Sequence, residues 1–65
     1  MEIRLNGKNQ TTKGTCLSDL IRETGIDPDS LIAEVNQKVI KQNDWAETPL
    51  REGDQIELLS FVGGG

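Results

Sequence analysis

The chain has 65 residues, a formal net charge of −4, one cysteine (Cys16) and no histidine, which leaves room for one small domain held by packing and hydrogen bonds. A lone thiol cannot close an internal disulfide, and no His/Cys set exists for a zinc or iron–sulfur site, so a reducing cytoplasm is the expected compartment. Seven scattered Lys and Arg residues against eleven Asp and Glu argue against nucleic acid as the main partner; the acidic excess suits docking on a basic protein surface or serves solubility.

The opening "MEIRLNG" has no apolar core of a signal peptide, and no run approaches the roughly 20 apolar residues of a membrane span, so no membrane partner is expected. Met1, Ile3 and Leu5 alternate with Glu2, Arg4 and Asn6, the period of a strand with one buried face. Asn6–Gly7 predicts a two-residue hairpin turn with positive φ at both positions. The returning "KNQTTKG" carries no large apolar residue and is expected as an edge strand held mainly by backbone pairing. From Thr15 the period changes: Leu17, Leu20, Ile21 and Thr24 form one stripe of a helix, with Thr15 as the expected N-cap and Ser18 and Asp19 in the first turns. Gly25 should end the helix in a Schellman-type stop with Ile26 folding back, and "DPDS" should turn.

"LIAEVN" predicts a third strand with Leu31, Ala33 and Val35 on one face. Asn36–Gln37 then turn the chain into a short fourth strand, "KVIK". "QNDWAETPLREGD" reads as irregular, anchored on the core by Trp45 and Leu50. Gly53 supplies a tight turn before the last strand, "QIELLSFV". A first hairpin, a helix laid across one sheet face and a last strand beside the first would bury every apolar stripe at once. This is an α+β fold, the β-grasp or ubiquitin-like roll, with a mixed sheet of about five strands and one main helix. Residues 1–62 form the body, and residues 63–65 are expected to be a flexible glycine tail.

Nothing in the body predicts chemistry of its own. A catalytic thiol needs a base or a positive neighbourhood, and Cys16 reads as a small half-buried hydrophobe. The many carboxylates read as solvated surface. The terminal glycines are no phosphate loop, because no helix follows them. What remains is the α-carboxylate of Gly65, carried past Val62 on residues without side chains. Extended, those three residues span about 10 Å. That is enough to carry a carboxylate into a narrow channel of another protein while the body stays outside. The alternative is a plain frayed end.

The stretch "NDWAETPLREGDQIELLSFVGGG" (residues 43–65), preceded by "EVNQKVI" (residues 34–40) and "IRLNGK" (residues 3–8), closely resembles the sulfur carrier family of thiamine biosynthesis, the ThiS family. The resemblance covers the whole chain in length and element order and is most specific in the last third. It implies the β-grasp fold and a cycle of activation. An E1-like adenylating enzyme of the ThiF type uses ATP and magnesium to adenylate the Gly65 carboxylate. A sulfur donor such as a cysteine desulfurase then supplies the sulfur that displaces AMP, leaving a C-terminal thiocarboxylate. Thiazole synthase of the ThiG type takes that sulfur into the thiazole ring. Gly64 and Gly65 map onto the family's terminal pair, and Gly63 extends it as a residue that threads into the partner. ATP and metal belong to the partner, so this chain is expected to bind no cofactor and to be no enzyme by itself. The polar second strand, residues 8–13, departs from the apolar character expected there.

On the last strand, Ile56, Leu58, Ser60 and Val62 share one face and Glu57, Leu59 and Phe61 the other. If the helix covers the first set, Leu59 and Phe61 point outward beside the tail, and they are the expected docking residues for the activating enzyme and thiazole synthase. The alternative is that loop residues around Trp45 cover them. Three other functions fit a folded body with a glycine end. They are a protein modifier joined through Gly65 to lysines, an accessory subunit like the small subunit of molybdopterin synthase, and a non-covalent binding module.

Overall fold

The computed structural model describes residues 1–61. Strand β1 (Glu2–Leu5) runs into β2 (Lys8–Thr11), followed by helix α1 (Leu17–Thr24), a 3₁₀ turn (Pro28–Ser30), β3 (Leu31–Val35), β4 (Lys38–Ile40), a second 3₁₀ helix (Gln42–Glu47) and β5 (Gln55–Ser60). The sheet order is β2-β1-β5-β3-β4. Only the central β1–β5 pair is parallel, with Arg4 against Gln55 and Leu5 against Ile56; the other three pairs are antiparallel. This is the β-grasp arrangement expected from the alternating stripes, with the last strand beside the first.

The core lies between one face of the sheet and α1. Ile3, Leu31, Ala33, Ile56 and Leu58 point inward from the strands and meet Leu17, Leu20 and Ile21 of the helix, with Trp45 and Leu50 closing the side. Trp45 resolves the polar end of its ring by donating its indole Nε1–H to the Ile40 carbonyl at 2.9 Å, as a buried indole requires. The Asn6–Gly7 turn has φ of 52° and 82°, the positive pair that matches the right-handed twist of a hairpin. Strand β2 is exposed along its whole length and is held by its ladder to β1.

Several local expectations are corrected. The helix N-cap is Cys16, not Thr15, and no side chain caps it. Cys16 is extended (φ −138°, ψ 168°), and its carbonyl accepts from Asp19 N–H at 3.1 Å and Leu20 N–H at 3.3 Å, so the first turn begins one residue later. Asp19 instead reaches back, accepting from the Thr15 N–H at 3.0 Å and the Thr15 hydroxyl at 3.2 Å. At the other end Gly25 is left-handed (φ 72°) and donates to the Arg22 carbonyl, half of a Schellman stop. The other half runs through a hydroxyl: Thr24 Oγ1 donates to the Ile21 carbonyl at 2.6 Å and accepts from Ile26 N–H at 3.2 Å.

The stretch read as irregular contains the six-residue 3₁₀ helix Gln42–Glu47, which swings Trp45 onto the core. "DPDS" is a 3₁₀ turn begun by Asp27, whose carboxylate accepts from Asp29 N–H at 3.0 Å. β5 ends at Ser60, although Phe61 N–H still donates to the Ser30 carbonyl at 2.9 Å.

The exit from β2 has a joint that the sequence reading missed. Thr12 is 2% exposed. Its hydroxyl donates to Glu23 Oε1 at 2.7 Å and accepts from Gly14 N–H at 3.0 Å, while Glu23 Oε2 accepts from Lys13 N–H at 3.2 Å. Gly14 lies so close to the helix that an added Cβ would sit 2.7 Å from the Asp19 Cβ. The polar strand β2 is thus tied to α1, at its exit, by a buried hydroxyl and a close backbone approach in place of apolar side chains.

Candidate functional site: the outer face and the end of β5

Inside-outside alternation on β5 decides which residues another molecule can touch. Ile56 and Leu58 are buried against the helix, whereas Leu59 is 55% and Phe61 47% exposed. Trp45 lies in the core. Ile32 of β3, 43% exposed, stands directly across from Leu59 in the ladder. Val39 of β4 is also exposed and stands opposite Glu34. The uncovered sheet face therefore carries an apolar strip of Phe61, Leu59 and Ile32, with Val39 farther along. An exposed strip of this kind needs a reason more than scattered single apolar residues do.

Beside the strip, Glu34 of β3 and Glu57 of β5 are cross-strand partners. Like charges directly opposite oppose sheet formation, and a basic group laid across them relieves that repulsion. The face is thus suited to an apolar surface flanked by Lys or Arg.

Strand β5 is braced where it starts. Asn36, left-handed at φ 51°, accepts the Gln55 N–H on its Oδ1 at 3.0 Å and donates from Nδ2 to Asp54 Oδ1 at 3.1 Å. Asp54 also accepts the Arg51 N–H at 2.8 Å, closing the turn that feeds the strand.

Val62, Gly63, Gly64 and Gly65, and with them the tail and the carboxylate singled out in the sequence, lie outside the described residues. Cys16 is half-buried as the helix N-cap and forms an isolated bridge to Pro49. Among the described residues no group of three His, Cys, Asp or Glu gathers to hold a metal ion. Nor, among them, is any helix long and apolar enough to cross a membrane. A groove of about 320 Å³ opens on the helix side between α1 and the second 3₁₀ helix, lined by Ile21, Arg22, Ile26 and Trp45 among others. Neither expected docking residue, Leu59 or Phe61, lines it.

One carboxylate stands out electrostatically. The Thr15 N–H holds the Asp19 carboxyl below the ordinary carboxylate range, helped by the Thr15 hydroxyl and by Cys16, against a smaller opposing effect of desolvation. Asp19 also meets Arg22 at 3.5 Å on the surface. It lies on the helix, outside the strip on the sheet face.

Comparison with known proteins gives this geometry a context. The sequence model of the ThiS family matches residues 3–65. The sulfur carrier protein ThiS of Bacillus subtilis is 35% identical over 66 aligned positions, covering 97% of this chain and 98% of that protein. A thiazole synthase of Magnetococcus marinus is 36% identical over 66 positions, covering all of this chain. This chain spans about a fifth of the length of that thiazole synthase and of the one from Paramagnetospirillum magneticum. The crystal structure of the thiamine biosynthesis protein ThiS from Geobacter metallireducens superposes with a TM-score of 0.84 at 28% identity, covering 100% of both chains.

Proposed function

The chain belongs to the ThiS family, and from that premise we propose that it is a sulfur carrier in thiamine biosynthesis whose working group is the Gly65 carboxylate. The observation that carries the reading is the family match through residue 65 together with an exposed Leu59 and Phe61 on the strand that leads to it. In this scheme residues 1–62 are the body that partners grip, and Gly63 and Gly64 pass through a channel too narrow for side chains.

An E1-like enzyme of the ThiF type binds ATP and magnesium. A carboxylate oxygen of Gly65 attacks the α-phosphorus and pyrophosphate leaves. The carboxylate is a poor electrophile, and the acyl adenylate gives it a leaving group. A persulfide derived from cysteine, delivered by a desulfurase or an equivalent donor, displaces AMP to form an acyl disulfide, and a thiol reductant cleaves its S–S bond to leave the thiocarboxylate. Thiazole synthase of the ThiG type takes the sulfur. Support for that partner comes from the two thiazole synthases to which this whole chain aligns over about a fifth of their length. Leu59 and Phe61 dock on both partners. The carrier performs no catalysis itself, binds no cofactor, and works in the cytoplasm with its partners.

Intact mass spectrometry after incubation with the activating enzyme, ATP, magnesium and a sulfur donor tests the reading. One sulfur exchanged for one oxygen is expected, and it should vanish when a residue is added after Gly65. Isopeptide adducts on lysines would instead identify a modifier. An unchanged mass would leave neither reading standing.

A further inference from the structure

The backbone groups of β5 alternate between its two neighbours. Asn36 N–H donates to the Gln55 carbonyl at 2.7 Å and Phe61 N–H to the Ser30 carbonyl at 2.9 Å. With the β3–β5 register, the odd-numbered residues of β5 face β3, and Ile56, Leu58 and Ser60 face β1. On that side the strand partner is short. β1 pairs as far as Leu5 against Ile56, and the chain then turns away at Asn6–Gly7, with Asn6 N–H reaching the Ile56 carbonyl at 2.9 Å.

The next groups along, those of Leu58, are met by a side chain. Leu58 N–H donates to Asn6 Oδ1 at 2.9 Å, and Asn6 Nδ2 donates to the Leu58 carbonyl at 3.3 Å, both part-buried. A primary amide offers a donor and an acceptor side by side, as a backbone peptide does, so the Asn6 carboxamide stands in for a missing residue of β1. The turn alone does not require it. Positive φ at Asn6 (52°) could be met by glycine or aspartate, whereas both bonds to Leu58 need a carboxamide.

We propose that Asn6 is a positioning residue for the sulfur-carrier activation. Its carboxamide secures the β1 side of β5 at Leu58, beyond the end of β1, and so fixes how Leu59 and Phe61 are presented as the chain leaves the sheet. The inference rests on the carrier reading above. Asn6 acts through Leu58 and touches none of the reacting groups.

Two variants of the full chain separate this role from turn formation. Asn6→Gly keeps the positive φ and removes both bonds. Asn6→Asp keeps the turn and the acceptor but sets a carboxylate oxygen against the Leu58 carbonyl. In Asn6→Gly, amide hydrogen exchange should accelerate at Leu58 while Ala33 in β3 is unaffected; in Asn6→Asp, which keeps the acceptor of the Leu58 N–H, the readout is KM. In Asn6→Gly the loss of two neutral hydrogen bonds corresponds to about tenfold in exchange at Leu58, and in both variants KM for the carrier in adenylation should rise about tenfold, with kcat held. A merely structural Asn6 would lower the melting temperature yet leave KM unchanged wherever the variant is folded. Wild-type KM in a folded variant, or unchanged exchange at Leu58 in folded Asn6→Gly, overturns the proposal. Should Asn6→Gly fail to fold, Asn6→Asp carries the KM test. A wild-type chain that is never adenylated overturns the carrier reading and this inference together. An active wild type with indifferent variants overturns this inference alone.

Discussion

Single side chains in this protein act mostly through hydrogen bonds to the backbone, and Asp19 shows how that couples stability to pH. Its carboxyl titrates below the ordinary range in the folded state because the Thr15 N–H, first of all, favours the charged form. A folded-state pKa below the unfolded value means a contribution fully present above the unfolded pKa, about 3.9, and lost as pH falls through the folded one. Asp19→Asn should therefore lower the melting temperature at neutral pH, and the gap between variant and wild type should close in the strongly acidic range. Parallel thermal melts across that range check it, and a gap independent of pH would refute it. Asp19 was legible in the sequence as a first-turn acid. Its true partner was not, because a cap expected at Thr15 and one formed at Cys16 differ by one residue, and that choice is made by the Leu17 and Leu50 N–H groups, which donate to the Thr48 and Thr15 carbonyls. Contacts made across thirty residues leave no local mark. Asn6 was readable as a turn residue for the same reason that its second role was hidden: the turn is local, whereas Leu58 lies 52 positions away.

At the scale of elements, the apolar period located β1, β3, β5 and the helix, since each has a stripe that only one face of the core can take, while β2 and β4 were read from the turns Asn6–Gly7 and Asn36–Gln37 before them. It failed where polar groups do the joining. β2 looked weak because it has no apolar residue, but it leads directly into Thr12, whose buried hydroxyl serves Glu23 and Gly14 at once. Thr12→Val keeps the shape and leaves a carboxylate oxygen and an N–H without that partner, which should cost about 1–3 kcal/mol. A substitution at exposed Asn9 on the same strand should stay within about 0.5 kcal/mol. Urea unfolding of both variants measures the contrast, and equal losses would show that Thr12 carries no special weight. The 3₁₀ helix Gln42–Glu47 was unreadable because six residues are too few to display a period, and only the burial of Trp45 explains where it sits.

At the scale of the whole molecule, one face of the sheet is spent on the core and the other is left uncovered. The sequence allowed this division to be drawn from alternation on β5 alone, and the structure adds Ile32, Val39 and the Glu34–Glu57 pair from the neighbouring strands. Those additions depend on register, which sequence pattern leaves open. Leu59 is exposed and makes no core contact, so Leu59→Asp should leave stability within about 0.5 kcal/mol. It should raise KM for adenylation by about tenfold or more if the strip is a docking centre. Circular dichroism melts with steady-state adenylation kinetics measure both, and an intact fold with unimpaired adenylation would remove the strip from the docking surface.

The central place of β5 has a further consequence. The hairpin β1–β2 and the hairpin β3–β4 never pair with each other; each reaches the other only across β5. A fragment ending at Asp54 is consequently two ribbons without a seam, and small ribbons are marginal in water. Adding a synthetic peptide of residues 55–65 in trans should restore the far-ultraviolet spectrum of the intact protein. Such a two-piece carrier would allow chemically altered C-terminal ends to be installed by mixing alone.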